Sequence, residues 1–247
     1  MIDRKFRLPR CWSNQQLRKM ATLFTGDIVN VSAWDDRDKE GGHYRDYFSN
    51  ASSYSTTNFS GYRGFQGLPN EYFLDLTRST PLGLSRRFDV VFNHTTLEHI
   101  FDIRTAFSNI CELSRDVVII VVPFAQEQHE SEDWRDYWRF TPTCLRKLHE
   151  ENGLTVIHEA ESPHRDAAVY LMSIASRHPD RWRDILPTFQ PITTAGQKIG
   201  ESLHTRAANL LRFRGQRSHT SRDPCRVASM LKKMVFQILS TKHTGGK

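Results

Sequence analysis

Two histidines follow apolar, strand-like segments of the chain. His99 comes shortly after residues 88–93, and His129 lies in the polar loop that follows residues 117–122. Because imidazole titrates nearest to neutral pH, it is the side chain best suited to remove a proton from a hydroxyl group. The sequence therefore indicates His129 as a candidate catalytic base or substrate ligand and His99 as a second candidate base. The position of His99 at the start of a helix also fits a structural hydrogen bond.

Charged and aromatic residues accompany the two histidines. Asp136 and Arg139 could brace the second loop as an ion pair or bind a polar substrate, and Glu98 could cap a helix or bind the substrate. The same loop contains four aromatic residues that could line a sugar or another planar substrate, or form a small hydrophobic core: Trp134, Tyr137, Trp138 and Phe140. The residue types alone leave both interpretations open.

The elements that must position these residues alternate between strands and helices. The apolar patterns predict strands at 28–31, 54–59, 71–76, 88–93, 117–122, 154–159 and 168–176. They predict helices at 13–20, at 102–113, and from Thr141-Pro142 to a stop at Gly153. This alternation predicts a doubly wound, mostly parallel α/β sheet that binds ligands beyond the carboxyl ends of its strands.

Two motifs carry a resemblance to a known family. Leu97-Glu98-His99 follows the fourth predicted strand, and the fifth is followed by V-P-F at 122–124, by His129 and by D-Y-W-R-F-T-P at 136–142. Over residues 27–177 the chain resembles the class I S-adenosylmethionine-dependent methyltransferases, in particular small bacterial members with these motifs. The resemblance implies a Rossmann-like fold with an antiparallel strand at 168–176, S-adenosylmethionine as cofactor, and O-methylation of a small-molecule or glycan acceptor.

The resemblance also implies where the cofactor binds. Members of this family place a glycine-rich turn after the first strand, because glycine permits close approach of the backbone. Here Val31, Ser32 and Ala33 occupy that turn without a glycine, and Asn58 stands where a carboxylate usually holds the ribose. An amide cannot offer the bidentate, charge-assisted acceptor of a carboxylate. These departures support an alternative, a catalytically inactive protein that keeps the fold as a binding or scaffolding module.

Three further residues belong to the implied cofactor site. Asp75 takes the position that often contacts the adenine amino group, although a turn at a strand end would also explain an aspartate there. Asn93 and His94 follow the fourth strand and would line the pocket.

Composition limits the remaining function classes. The four cysteines contain no C-x-x-C pair, and the spacing of cysteine and histidine predicts neither a metal site nor a disulfide framework. Together with the lack of a signal-peptide pattern at the start, this predicts a cytoplasmic protein. We expect one methyltransferase-like domain at 1–177 and a basic, mainly helical extension at 178–247.

The extension carries 13 Lys and Arg against 4 Asp and Glu, whereas residues 1–177 carry 21 against 24. Helices are predicted at 193–213 and 224–241, the second of them basic and amphipathic. Packing on the domain or on a second subunit is the simpler interpretation of its apolar face. The alternatives are peripheral binding to the inner membrane surface or to an acidic partner. Nucleic acid is not favoured, since no arginines and aromatic residues are spaced for stacking bases. The sequence does not predict the oligomeric state.

Overall fold

The computed structural model describes residues 2–61, 63–126, 128–162, 169–186 and 189–192. Its centre is a seven-stranded sheet with the order β3-β2-β1-β4-β5-β7-β6, in which only β7 runs antiparallel to its neighbours. The strands are β1 (Gly26–Val31), β2 (Ala51–Asn58), β3 (Glu71–Phe73), β4 (Phe88–His94), β5 (Ser114–Ala125), β6 (Thr155–Glu161) and β7 (Val169–Ser176). The doubly wound α/β prediction, including the antiparallel last strand, is confirmed.

The central strand β5 shows why the sheet is buried on both faces. Its residues 117–122 are all β-branched and fully buried, as is typical of a parallel strand covered on both sides. Successive side chains point to opposite faces, so Val118 and Ile120 join one core while Val117 and Ile119 join the other.

Helices cover each face of the sheet. The helices are α1 (Ile2–Ala21), α2 (Ile103–Glu112) and α3 (Pro142–Glu151), and short 3-10 turns occur at Tyr44–Tyr47, Leu97–His99 and Pro179–Trp182. The predicted cap of α3 is confirmed, because the Thr141 side chain accepts a hydrogen bond from the Cys144 amide and Pro142 is the first helical residue. Gly153 follows α3 with a left-handed φ of 69°.

Helix α1 extends further than the sequence predicts. The prediction began at residue 13, whereas the helix begins at residue 2 and passes through Pro9, which lacks the amide hydrogen for one helical bond. Trp12, Leu17 and Met20 bury one face of the helix against the sheet, and such packing supplies most of the stability of a helix in a protein. Among the described residues, no helix is both long and apolar enough to cross a bilayer.

The chain divides into two units, Met1–Ser202 and Leu203–Lys247, and only residues of the first are described. Trp182 lies beyond the predicted domain boundary at 177 and packs against Phe24 with ring centroids 5.1 Å apart. The boundary itself stays a prediction. The predicted helices at 193–213 and 224–241 lie outside the described residues.

Candidate cofactor and acceptor site

The turn after β1 adopts a conformation that usually requires glycine. Ser32, Trp34 and Asp36 have φ values of 56°, 52° and 60°, so three alternate residues are left-handed. A side chain makes this conformation costly, by about 1–2 kcal/mol per residue. Such strain persists only where the surrounding structure holds it, and it is concentrated at functional sites.

Strand β2 holds this turn in place. The amide of Ser32 donates to Thr57 Oγ1 at 3.3 Å, and that of Ala33 donates to the Thr57 carbonyl at 3.1 Å. The amide of Trp34 donates to Asn58 Oδ1 at 2.7 Å, and Asn58 Nδ2 returns a hydrogen bond to the Trp34 carbonyl at 3.1 Å. All three turn amides are therefore satisfied within the protein.

Asp36 anchors the far end of the turn. Its buried carboxylate accepts hydrogen bonds from Asn30 Nδ2 at 2.8 Å, from the Tyr54 hydroxyl at 2.7 Å and from the Arg45 amide at 3.0 Å. These bonds fix the backbone of Asp36, although the sequence contains no motif that would identify the residue. We call residues 31–36, together with Asn58 and Glu71, the β1 side of the site.

Glu71 brings a carboxylate to the end of β2. Its Oε1 accepts from Asn58 Nδ2 at 2.7 Å, while Oε2 accepts from the amides of Gln66 and Leu68, each at 3.0 Å. Burial raises the pKa of Glu71, but the bonds from Asn58 and the amides outweigh it and lower the pKa overall. Asn58 thus stands at the predicted strand end with its amide already engaged by Trp34 and Glu71.

Aromatic side chains extend this side of the site. Phe59, Phe65 and Phe73 are each more than 40% exposed, and the Phe73 ring lies 5.7 Å from that of Phe59 and 5.9 Å from that of Phe65. Asp75, two residues after β3, accepts from the amide of Thr77 at 2.9 Å and from its hydroxyl at 2.7 Å. It therefore forms the turn at the strand end that its residue type also suggested.

The end of β4 joins the site to α1. Arg10 Nη1 lies 2.9 Å from His94 Nδ1, and Arg10 Nη2 donates to Thr95 Oγ1 at 2.9 Å. Because arginine only donates, His94 Nδ1 must accept, so its Nε2 carries the proton and donates to Ser13 Oγ at 2.8 Å. Burial, together with the positive charges of Arg10 and Lys39, places the pKa of His94 well below its usual value. Neighbouring Asn93 donates to the Val31 carbonyl at 2.9 Å.

Arg10 brings positive charge to this edge of the sheet. Its hydrogen-bond partners Tyr44, His94 and Thr95 are neutral groups, and within the described residues no carboxylate oxygen lies within 4 Å of its guanidinium. The charge of Arg10, with burial and the charge of Arg63, lowers the pKa of Lys39 to about 8. The edge therefore has a local excess of positive charge.

The turn Leu97–His99 presents a buried carboxyl group. Glu98 is 1% exposed, and burial raises its pKa to about 8 in spite of the charges of Arg10 and Arg139. Its Oε1 lies 3.8 Å from His99 Nε2, and its Oε2 has no hydrogen-bond partner in the described part of the chain. His99 Nδ1 lies 2.7 Å from the carbonyl oxygen of Arg135, so Nδ1 carries the hydrogen.

Asp136 organises the loop after β5. Both of its oxygens accept from the guanidinium of Arg139 at 2.6 Å, and Oδ2 also accepts from the amide of His129 at 2.9 Å. The ring nitrogen Nδ1 of His129 lies 3.3 Å from the same oxygen. The ion pair braces the loop and holds His129 with its ring centroid 5.0 Å from that of His99. We call residues 97–99 and 126–139 the β5 side of the site.

Aromatic residues fix the β5 side to the domain. The indole nitrogen of Trp138 donates to the carbonyls of Ile100 and Phe101 at 3.0 and 3.2 Å, and its ring packs on the core. The amide of Tyr137 donates to the Glu98 carbonyl at 2.8 Å, which ties the loop to the turn after β4. Phe140 is buried, so the core interpretation fits Trp138 and Phe140.

Comparison with solved structures shows the fold. Magnesium protoporphyrin IX methyltransferase from Synechocystis PCC 6803, with bound S-adenosylmethionine, aligns over 72% of this chain and 84% of its own with a TM-score of 0.52 and 12% identity. The fold is that of the class I methyltransferases. A methyltransferase from Mesorhizobium loti aligns over 66% of this chain and 96% of its own, with a TM-score of 0.48 and 13% identity. No family model and no curated protein matches the sequence.

In this methyltransferase fold the predicted site residues form two groups. The structure brings His99, His129, Glu98, Asp136 and Arg139 together on the β5 side. Residues predicted for the cofactor lie along the ends of β1 to β4: Val31, Ser32, Ala33, Asn58, Asp75, Asn93 and His94. Their roles toward a ligand stay predictions.

Two residues at this edge of the sheet were not predicted from the sequence. Arg10 was not found because it lies before the predicted helix, and Glu71 because its hydrogen bonds to Asn58 and to backbone amides form only in the fold. The only available signals were an arginine on an amphipathic helix and a carboxylate at the start of a strand.

Proposed function

We propose that this protein is an S-adenosylmethionine-dependent methyltransferase that methylates an oxygen atom of a small-molecule or glycan acceptor. The observation that carries the proposal is the turn after β1. Ser32 and Trp34 take left-handed φ values there without glycine, and three hydrogen bonds from the turn amides to Thr57 and Asn58 hold the strained shape. A strained turn held by this many bonds at the ligand-binding edge is typical of a functional site.

The charge at this edge fits the methionine part of the cofactor. Its carboxylate needs a positive partner, and Arg10 carries a charge that no carboxylate within 4 Å balances among the described residues. Lys39 adds a second positive charge nearby. We therefore assign Arg10 and Lys39 to the carboxylate, beside the backbone of Val31, Ser32 and Ala33.

The ends of β2 and β3 suit the adenosine part. Asn58 and Glu71 supply polar groups for the ribose, where Glu71 provides the carboxylate that Asn58 lacks. The exposed ring of Phe59 supplies an apolar surface for a base, and Asp75 stands at the end of the next strand. These residue types fit the cofactor, although the carboxylate comes from β3 instead of β2.

The β5 side suits the acceptor. When bound, S-adenosylmethionine supplies a methyl group on a positively charged sulfur, and the protein must align the acceptor oxygen with it and promote loss of the hydroxyl proton. Burial lowers the pKa of His99, so its ring is neutral and able to accept a proton at Nε2. His129, the first candidate base of the sequence analysis, has Asp136 beside its Nδ1.

Calorimetric titration with S-adenosylmethionine and with its demethylated product tests the proposal. We expect micromolar binding of both. Arg10→Met should weaken it at least tenfold, since a hydrogen bond to a charged group contributes about 1.5–3 kcal/mol. Lys19→Met is the matched control, because Lys19 is an exposed cation on the same helix. Arg10→Lys, which keeps the charge, should recover part of the affinity if the variant protein is folded.

A second candidate function is an inactive binding or scaffolding module. The observation that favours it is the Trp34 side chain, which belongs to the left-handed turn after β1 and stacks on Arg63 with 4.4 Å between the guanidinium carbon and the ring centroid. Arg63 also lies 5.5 Å from the Trp134 ring, so these three side chains bridge the β1 and β5 sides. Absence of binding at millimolar cofactor would establish this second function over the first.

We also propose that the protein is cytoplasmic and that residues 178–247 dock it on an anionic membrane surface. The support is the excess of 13 Lys and Arg over 4 Asp and Glu in that segment. Co-sedimentation with anionic liposomes at low salt, with and without residues 203–247, tests this proposal.

A further inference from the structure

We infer that Glu98, His99 and His129 form a binding site for one divalent first-row transition-metal ion. A carboxylate oxygen of Glu98 and one ring nitrogen of each histidine all lie within 4.8 Å of one another. The spacing in the sequence did not predict this site, because the ligands come from two loops that are 30 residues apart. The fold brings these loops together at the carboxyl ends of the neighbouring strands β4 and β5.

The burial of Glu98 is the first independent observation that points to an ion. Its side chain is 1% exposed, and its Oε2 has no partner among the described residues. A buried carboxyl oxygen without a partner is costly, and buried charges in proteins are paired or bind metals. A cation between Glu98 and the two imidazoles would remove this cost.

The orientation of the rings is the second observation. Ligating histidines usually donate their other ring N–H to a carbonyl or a carboxylate. His99 donates from Nδ1 to the Arg135 carbonyl at 2.7 Å, which leaves Nε2 directed at Glu98 Oε1 at 3.8 Å. His129 Nδ1 lies 3.3 Å from the Asp136 carboxylate, which Arg139 holds in turn. Each ring therefore has a carbonyl or carboxylate oxygen beside one of its nitrogens, as ligating histidines usually have.

The ligand types select the class of ion. Two imidazoles and one carboxylate suit Zn²⁺, Co²⁺, Mn²⁺ or Fe²⁺ better than Mg²⁺ or Ca²⁺, which prefer oxygen ligands. Metal–ligand bonds of about 2.0–2.2 Å require the three atoms to move closer by roughly 1 Å. Three protein ligands leave a position open for one more oxygen.

An ion at this place would replace the two imidazoles as the group that promotes proton loss: it would hold the acceptor oxygen and lower the pKa of its hydroxyl group, so that the proton passes to water at neutral pH. This role toward an acceptor rests on the proposed function. Metal binding itself does not rest on it, because none of the three ligands belongs to the β1 side.

The test is a titration of chelator-treated full-length protein with Co²⁺ and Zn²⁺, without cofactor. We expect one equivalent of each and visible Co²⁺ absorption bands typical of nitrogen and oxygen ligands. Glu98→Gln, His99→Gln and His129→Gln should each weaken binding at least tenfold. His43→Gln is the control, since its half-exposed ring lies outside the cluster and pairs with Asp46 at 4.0 Å.

Less than 0.2 equivalents bound, or equal affinity of the three variants and the wild type, would overturn the inference. Circular dichroism shows which variants are folded, and the stoichiometry of the wild type decides the question even if one variant is not. Binding of the demethylated cofactor is measured separately in the presence of EDTA. Metal binding without cofactor binding would sustain this site and reject the proposed function, and the reverse result would do the opposite.

Discussion

The β1 side and the β5 side of the site satisfy their polar groups in opposite ways. On the β1 side every amide of the turn 32–34 is hydrogen-bonded within the protein, and Asp36, Asn58 and Glu71 all have partners. On the β5 side Oε2 of Glu98 and the indole nitrogen of Trp134 are buried without a partner in the described chain. The turn and the three side chains of the β1 side thus have hydrogen-bond partners within the protein, whereas the β5 side holds polar groups that a ligand could satisfy.

The same comparison separates what motifs can show. The β5 side carries both motifs of the family resemblance, and the residues predicted there would act through their side chains. The β1 side departs from them yet keeps left-handed φ values at Ser32 and Trp34. A sequence motif therefore reports side-chain chemistry well and backbone geometry poorly.

The largest change in stability is expected when the ion pair between Asp136 and Arg139 on the β5 side is disrupted. Asp136→Asn should lower the free energy of unfolding by about 2–3 kcal/mol, somewhat less than for a fully buried pair, since the Arg139 side chain is 27% exposed. Urea denaturation measures the change. Asp180→Asn is a matched control, because Asp180 and Arg183 form an exposed ion pair with the same spacing of three residues and the same 2.6 Å distance. Equal losses in both variants would show that Asp136 does not organise this loop.

A buried polar residue outside both sides tests whether an unpaired group alone marks a functional site. His149 is buried in the core against Phe107, its two ring nitrogens lack partners in the described residues, and burial lowers its pKa to about 3. The unfolded chain therefore binds a proton near pH 6.5 that the folded protein does not bind. Stability from this residue is present above pH 6.5 and is lost as the pH falls toward 3.

His149→Leu should remove this dependence and raise the free energy of unfolding at pH 5 by about 2 kcal/mol relative to wild type. Cofactor and Co²⁺ binding should not change. Denaturation at pH 5 and pH 8 checks the result, and an unchanged difference between these pH values would show that the ring is already charged or paired in the fold.

The smallest change in stability is expected from substitutions in the strained turn after β1. Ser32→Gly should raise the free energy of unfolding by about 0.5 kcal/mol, because relief of the left-handed conformation slightly exceeds the entropic cost of glycine. Ala33→Gly is the adjacent control and should lower it by about 0.5–1 kcal/mol, since Ala33 has no positive φ. Changes of the same sign in both variants would mean that the turn stores no strain at Ser32.

Much of the fold could be predicted from the sequence, for reasons that particular residues make clear. The β-branched run of β5 and the Thr141-Pro142 start of α3 are local signals, and each appears in the structure where it was expected. The start of α1 was wrong because Pro9 is a local signal against a helix, whereas packing of Trp12 and Leu17 against distant strands decides the outcome.

The site was less predictable than the fold. Sequence reasoning found Glu98, His129 and Asp136, because their residue types and their positions after predicted strands can be read from the sequence. Arg10 and Glu71 were not, since their importance comes from partners that are distant in the chain or on a neighbouring strand. No residue type in the sequence predicts the left-handed turn at Ser32 and Trp34, because hydrogen bonds between the turn and β2 impose it.

The link between α1 and the end of β4 has a consequence for the order of folding. Ser13 and Arg10 reach His94 across 81 and 84 residues of sequence. Contacts over such separations form slowly, because the intervening chain loses conformational entropy before the contact forms and offsets that loss. During synthesis α1 emerges first, but its polar partners follow only after β4 has been made. The helix must therefore wait for the first four strands before the positive edge of the site can be completed.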